Sequence, residues 1–296
     1  MHTHLEQSTQ ATANMYRDAG PRNPSRQSCK PGSWPLRWAP VLILAALAGP
    51  VRAAAGAVPA ACLHDSPPQR LALIELYTSE GCNSCPPADR WLGTQAARLP
   101  SSQALAVALH VDYWDSLGWR DRFASPVFTA RQRMLARAVG SHTVYTPEVF
   151  VGAREQRRWQ DAGEVAARVA EINAQAPGAS LRLGWQALSA AQVQVALNVT
   201  PAARSGPLQA YAALVEDGLV SAVKAGENQG ATLHHERVVR LWLGPFAVPP
   251  EGLAWSGSVP LPAGADPSKL AWVAFAQQPG AEVAQAVLAP RCELPG

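Results

Sequence analysis

Two patterns of apolar and polar positions divide the chain. Between Leu71 and about Ala176, short apolar runs alternate with stretches of helical periodicity; beyond Ser180 the helical pattern stops and only short alternating runs remain. Leu71-Ala-Leu-Ile-Glu-Leu-Tyr77 and Ala104-Leu-Ala-Val-Ala-Leu-His-Val111 are nearly unbroken apolar runs, the signature of strands covered on both faces. Gly81 marks a turn after the first. Pro86 and Pro87 lack the N–H groups that a helix's first turn leaves unbonded anyway, so a helix to about Leu99 fits behind them. Ser125-Pro126 supplies the N-cap and first residue of a second helix, with a stripe of Phe128, Met134, Leu135 and Ala138 and a stop at Gly140. Val149-Phe150-Val151 then forms a strand, Gly152-Ala153 a turn, and a polar return strand runs through Trp159. Asp161 with Glu164 resembles a capping box and opens a last helix carrying Val165, Val169 and Ile172. The expected order is β-α-β-α-β-β-α.

After a linker over 173–180, alternating runs occur near Leu181–Trp185, Gln192–Val199, Leu208–Val215, Leu233–Leu243, Leu253–Leu261, Leu270–Ala276 and Ala281–Leu288, separated by Pro and Gly turns. Strands at this spacing suggest a β-sandwich. The expected organisation is an N-terminal extension over 1–53, a short segment over 54–69, an α/β domain over 70–176 and an all-β sandwich over 177–296.

The extension carries its own signal. Its first 36 residues are polar and rich in Ser, Pro, Gln and Arg. Arg37 then precedes Trp38-Ala-Pro-Val-Leu-Ile-Leu-Ala-Ala-Leu-Ala48, an apolar run too short to span a bilayer, and Val51-Arg52-Ala53 is a small-residue cleavage site. This reads as a signal peptide, so the protein is expected to be exported, periplasmic or secreted, with no stable membrane insertion after cleavage. Met15 is a candidate start. Composition changes this picture little: 48% hydrophobic and 16% charged residues describe a globular body. A net charge of +3, without a basic run interleaved with aromatics, gives no reason to expect a nucleic-acid partner.

Cysteine carries the chemistry. Cleavage removes Cys29 and leaves Cys62, Cys82, Cys85 and Cys292, an even number that suits disulfides in an exported protein. Cys62 and Cys292 lie at opposite ends of the mature chain and are expected to staple its termini. Cys82 and Cys85 form a Cys-x-x-Cys where an apolar strand yields to a helix. A helix N-terminus favours a thiolate over a thiol, so Cys82 is the candidate attacking group and Cys85, more covered, the resolving one. Zinc would need two further ligands, and no second Cys-x-x-Cys or His-x-x-x-His occurs.

This element order, with a Cys-x-x-Cys at the start of the first helix, is that of the thioredoxin fold. In that fold a cis-proline before the third strand faces the cysteines, and Thr146-Pro147 stands at that position, making both residues candidates for binding substrate. The segments LIELYTSEGCNSCPPADRWL, ALHVDYWDSLGWRDRFASPVFTARQR and VYTPEVFVG resemble the DUF1223 family of secreted thioredoxin-like proteins. The resemblance spans most of 70–296. It implies the fold and the place of the cysteines, and no substrate.

Other residues are weighed beside the pair. His110 and Asp112 follow the second strand and are candidate proton acceptors; their structural readings are a core histidine and a loop or capping aspartate. Tyr113, Trp114, Trp119 and Phe123 either line a groove for an extended client or pack beneath their loop. His234 and His235 should point to opposite faces of a strand, which disfavours a shared metal site with Glu227 or Glu236. No G-x-S-x-G, H-E-x-x-H or phosphate loop is present.

The leading expectation is therefore thiol–disulfide exchange with a protein or small-thiol partner, without a cofactor. The second is copper binding by Cys82 and Cys85 thiolates, with His110 or His142 as third ligand. The third is a binding module in which the Cys-x-x-Cys is a structural disulfide.

Overall fold

The fold is that of a computed structural model, which describes residues 58–292. The apolar run over 38–48, the cleavage site and Cys29 lie outside the described residues. Among the described residues no helix is long and apolar enough to cross a membrane.

In chain order the elements are β1 (Leu63–Asp65), β2 (Ala72–Thr78), α1 (Pro86–Arg98), β3 (Ala104–His110), α2 (Pro126–Ala138), β4 (Glu148–Val151), β5 (Arg154–Glu155), α3 (Ala162–Asn173), β6 (Ala179–Ser189), β7 (Gln192–Pro201), β8 (Leu208–Glu216), β9 (Leu219–Ala222), β10 (Thr232–His235), β11 (Val238–Val248), β12 (Leu253–Pro260), β13 (Leu270–Gln277) and β14 (Val283–Pro290). The local signals act as their chemistry requires. The Ser125 side chain accepts from Val127 N at the head of α2, and Asp161 accepts from Gly163 N and Glu164 N at the head of α3.

Sheet topology departs from the expected division at residue 176. Eight strands form one mixed sheet in the order β14-β13-β8-β11-β3-β2-β4-β5, parallel at β11–β3 and β3–β2 and antiparallel elsewhere. Four strands assigned to a separate sandwich thus extend the sheet of the α/β half, and all the described residues belong to one compact unit. The physical reason lies in β3. Its side chains are buried on both faces, so a free edge there would leave unpaired backbone beside an apolar surface. β11 covers that edge, with Val238 in register with Ala108 and Ala108 N donating to Arg237 O at 2.8 Å. The expected strand over 233–243 breaks where Arg237 adopts a left-handed φ of 57°, separating β10 from β11.

The two faces of the long sheet bury different partners. One face, with Leu73, Tyr77, Leu109, Phe150, Tyr211 and Phe275, packs on Phe128 and Leu135 of α2. The opposite face is shared. Ile74, Leu76 and Ala108 pack on α1 and α3, while Ala212, Leu214 and Trp272 pack on the antiparallel sheet β1-β6-β7-β12 through Leu183, Val195 and Leu197. The molecule is therefore mostly β, with three helices and a sandwich built against one half of its long sheet.

Charge also crosses the former boundary. Arg131 of α2, buried, donates from Nε (2.5 Å) and Nη2 (3.1 Å) to Glu75 of β2 and from Nη1 to Gln277 of β13 (3.1 Å). Its guanidinium lies 4.7 Å from the Phe275 ring centre and 5.1 Å from that of Trp242. Each of its three nitrogens has an acceptor, which helps a buried cation to be tolerated.

Candidate functional site

Cys82 and Cys85 are joined as a disulfide in the loop between β2 and α1, with Cα atoms 5.4 Å apart. Pro86 and Pro87 occupy the first turn of α1, which makes Cys85, not Cys82, the N-cap residue. Cys82 sits one turn earlier, its N–H donating to Ser79 O at 3.2 Å and its carbonyl accepting from Cys85 N at 3.2 Å. The expected difference in cover is absent, since both cysteines are 0% exposed. Cys62 and Cys292 form the second disulfide, across 230 residues.

Thr146 and Pro147 face the pair. The Thr146–Pro147 bond is cis, and Thr146 O lies 3.8 Å from Cys82 Sγ. Ser84 Oγ stands 3.3 Å from the same sulfur and donates to Thr146 O at 3.5 Å. Trp114 Nε1 donates to Thr146 Oγ1 at 2.8 Å, so this ring positions the residue before Pro147. Trp119 Nε1 donates to Glu80 Oε2 at 2.8 Å. These two aromatics brace the site through their polar atoms.

Beneath the pair lies a buried titratable cluster: Glu80, Asp89, His110, Asp121 and His235. His110 Nδ1 and Asp121 Oδ2 are 2.6 Å apart, and Asp121 also accepts from Glu80 N and Phe123 N, each at 2.9 Å. The His110 and His235 rings lie 5.1 Å apart, and His235 Nε2 is 3.3 Å from Glu80 Oε1. His110 Nε2 has no hydrogen-bond partner, and the Glu80 contact is the one close polar approach to His235 Nε2. Burial lowers the pKa of His110, but the facing Asp121, Asp89 and Glu80 more than offset it and the net shift is upward. Burial raises that of Asp89. Asp121 is held low: burial opposes ionisation, and the His110 contact outweighs it.

Of the two expected proton acceptors, His110 belongs to this cluster and Asp112 does not. Asp112 turns to α2, where Thr129 Oγ1 donates to Asp112 Oδ1 at 2.5 Å and accepts from Asp112 N at 3.2 Å. Sequence reasoning missed Glu80, Asp89, Asp121 and Glu148. Asp89 carried a signal, a carboxylate four residues after Cys85 on the same helical face. Asp121 carried none, because its approach to His110 depends on how the intervening loop folds back. Glu148 follows Pro147 and is buried; burial raises its carboxyl to about 7, although Gln132 Nε2 donates to it at 2.7 Å.

Among the described residues no group of three or more His, Cys, Asp or Glu is arranged to hold a metal ion, and His142 is exposed. His234 is exposed and His235 buried, on opposite faces of β10, while Glu227 accepts from Asn83 N and Glu236 from Gly218 N.

Fold and site together define a mostly β protein with a buried Cys-x-x-Cys disulfide at the head of its first helix. The chain belongs to the family described as protein of unknown function (DUF1223), whose pattern matches residues 73–277. It is similar in fold to a protein of Agrobacterium tumefaciens solved by X-ray crystallography, at a TM-score of 0.55 and 23% identity over 76% of this chain and 96% of that one. It is also similar to HBP35 of Porphyromonas gingivalis, at a TM-score of 0.55 and 14% identity over 75% and 76%. At these identities the likeness concerns fold. No curated protein matches the chain.

Proposed function

We propose that this is an exported thiol–disulfide exchange protein whose residues 70–176 act as a thioredoxin-like unit. The observation that carries the reading is the placement of Cys82 Sγ beside the carbonyl of Thr146, before the cis-Pro147, at the start of α1. That carbonyl and the neighbouring backbone offer a strand-like seat for a client segment next to the reacting sulfur. Export is supported by the two disulfides of the described chain and by the apolar run over 38–48.

In the oxidising direction a client thiolate attacks Cys82 Sγ, forming a mixed disulfide and releasing Cys85 as thiolate. A second client thiolate then attacks the client sulfur of that bond and releases the Cys82 thiolate. The client loses two electrons to the cysteine pair, and the two protons end on solvent or on the pair. In the reducing direction the same steps run backward, and Cys85 resolves the mixed disulfide. Asp89, one helical turn beyond Cys85 with a carboxyl raised by burial, is the group assigned to take up the Cys85 proton in this reading.

Replacing the resolving residue tests this. Cys85→Ser should accumulate mixed disulfides on Cys82 when incubated with an extract of exported proteins, detectable as reductant-sensitive adducts. Absence of adducts, together with no change in the thiol state of a reporter dithiol exposed to the native protein, would leave the pair a structural disulfide.

A further inference from the structure

A distant part of the chain is fastened to the backbone around Cys82. β9 and β10 form a two-stranded sheet of their own, hydrogen-bonded to neither of the larger sheets. The loop between them lies on the Cys-x-x-Cys. Asn228 Nδ2 donates to Glu80 O and to Cys82 O, each at 2.9 Å, and Glu227 Oε2 accepts from Asn83 N at 3.2 Å. Gly226 packs so closely that a Cβ on it would stand 3.1 Å from Trp119 Cβ. From the other side Thr146 and Trp114 close the site. With both cysteines fully covered, no thiol can reach a sulfur in line with the disulfide in this arrangement.

We propose that the β9–β10 hairpin is a latch over the Cys82–Cys85 disulfide, fastened by Asn228, which lifts before either sulfur reacts. The proposal deepens the exchange reading by naming how access to that site is controlled. The hairpin's construction suits release. Four-residue strands in an isolated pair have little stability of their own, so seating depends on attachments. Leu233 and His235 point inward, while Val220 on the outer side is 49% exposed. Left-handed residues flank the hairpin, Gly218 before β9 (φ 66°) and Arg237 after β10 (φ 57°), where a hinge can absorb rotation. An open groove of about 580 Å³, lined by Arg90, Gly93 and Thr94 of α1 and by His234, Glu236 and Arg237, runs along the hairpin's flank beside its contact with the helix, where a Cβ on Gly93 would stand 3.0 Å from Glu236 Cγ. The remaining fastenings are Arg122 Nη2, which donates to Val220 O at 2.9 Å, His235, which approaches Glu80 and packs against the rings of His110 and Phe123, and Leu233, buried on the same face.

The test uses the full mature chain, with dithiothreitol as the probe and mass mapping of alkylated cysteine peptides as the readout. Asn228→Ala removes two hydrogen bonds and should speed reduction of Cys82–Cys85 about tenfold or more. Reduction of Cys62–Cys292 in the same sample should stay within twofold, which separates latch release from general loosening. Hydrogen exchange of amides 219–235 should accelerate while that of β8 and β13 does not. Arg122→Ala, at the far end of the hairpin, gives a second route if Asn228→Ala fails to fold, and should act in the same direction. Unchanged Cys82–Cys85 reduction in a folded variant whose hairpin amides exchange faster would overturn the latch. So would equal acceleration of both disulfides. Faster reduction in a protein whose Cys85→Ser form traps no client would sustain the latch and count against exchange; trapped clients without faster reduction would do the reverse.

Discussion

Cys62–Cys292 closes a separation of 230 residues and Cys82–Cys85 a separation of three. In the chain-entropy account a cross-link stabilises by restricting the unfolded chain, so the long loop is worth about 5 kcal/mol and the short one about 2 at most. Location follows the same division. The long-range disulfide belongs with Arg131, which bridges β2 and β13; both tie the first strands to the last. The short one sits among groups that are buried yet incompletely paired, such as His110 and His235. The long-range ties are well paired, and the site holds buried polar groups that are less so.

The largest expected effect follows from the long tie. The double variant Cys62→Ser, Cys292→Ser should lose about 5 kcal/mol in urea unfolding at pH 7, read as a lower midpoint with a steeper slope, since the unlinked unfolded chain exposes more surface. A loss below about 2 kcal/mol would mean that the sheet alone holds the termini, and the contrast between the disulfides would collapse. Next comes Arg131→Met. It leaves the Glu75 carboxylate buried without its cation, with the Tyr77 hydroxyl as donor, and takes the donor from Gln277, and should cost about 4 kcal/mol. The reduction rate of Cys82–Cys85 should not follow it in a variant that remains folded.

Much of this scaffold was legible in the sequence, and the reason differs by element. β2, β3, α1, α2 and α3 announce themselves through local chemistry: apolar runs, Pro86-Pro87, Ser125-Pro126 and Asp161. The pairing of β11 with β3 does not, because a strand's sequence records which faces it buries and not which edge it joins. The same limit hid the site's cover. Gly226 to Gly230 reads as a turn in any fold, and its meeting with Glu80 and Cys82 depends on topology alone. Asp112 had two readings, proton acceptor and loop or capping aspartate, and its bonds to Thr129 are those of the second; proximity to His110 along a strand end says nothing of the direction in which its carboxylate turns.

Glu148 sharpens the comparison from the side of the site. Its carboxyl is raised by burial from an ordinary 4.5 to about 7, so the folded state binds its proton more tightly than the unfolded chain does. The contribution is fully present below pH 4.5 and is lost as pH rises through about 7, a change of about 3 kcal/mol over that window. Unfolding free energies of wild type and Glu148→Gln, measured from pH 4.5 to 8, should differ by a curve of that sign and size, since glutamine cannot ionise. A flat difference would place the carboxylate in a better-solvated or better-paired environment, and the site would then resemble the ties.

The smallest effect on stability belongs to the pair itself. Cys82→Ser with Cys85→Ser removes a link between residues three apart, within a loop that Asn228, Ser79 and the first turn of α1 already hold. The unfolded chain gains little freedom from so short a loop, so the loss should be about 2 kcal/mol or less in the same urea assay. Two buried hydroxyls in place of sulfur add a desolvation cost of their own, and Cys82→Ala with Cys85→Ala controls for it. Agreement between the two double variants, with both well below the loss from Cys62→Ser, Cys292→Ser, would show that the fold does not depend on this disulfide. A loss equal to that of the long-range disulfide would instead make the Cys-x-x-Cys a structural staple, and exchange chemistry would lose its physical ground.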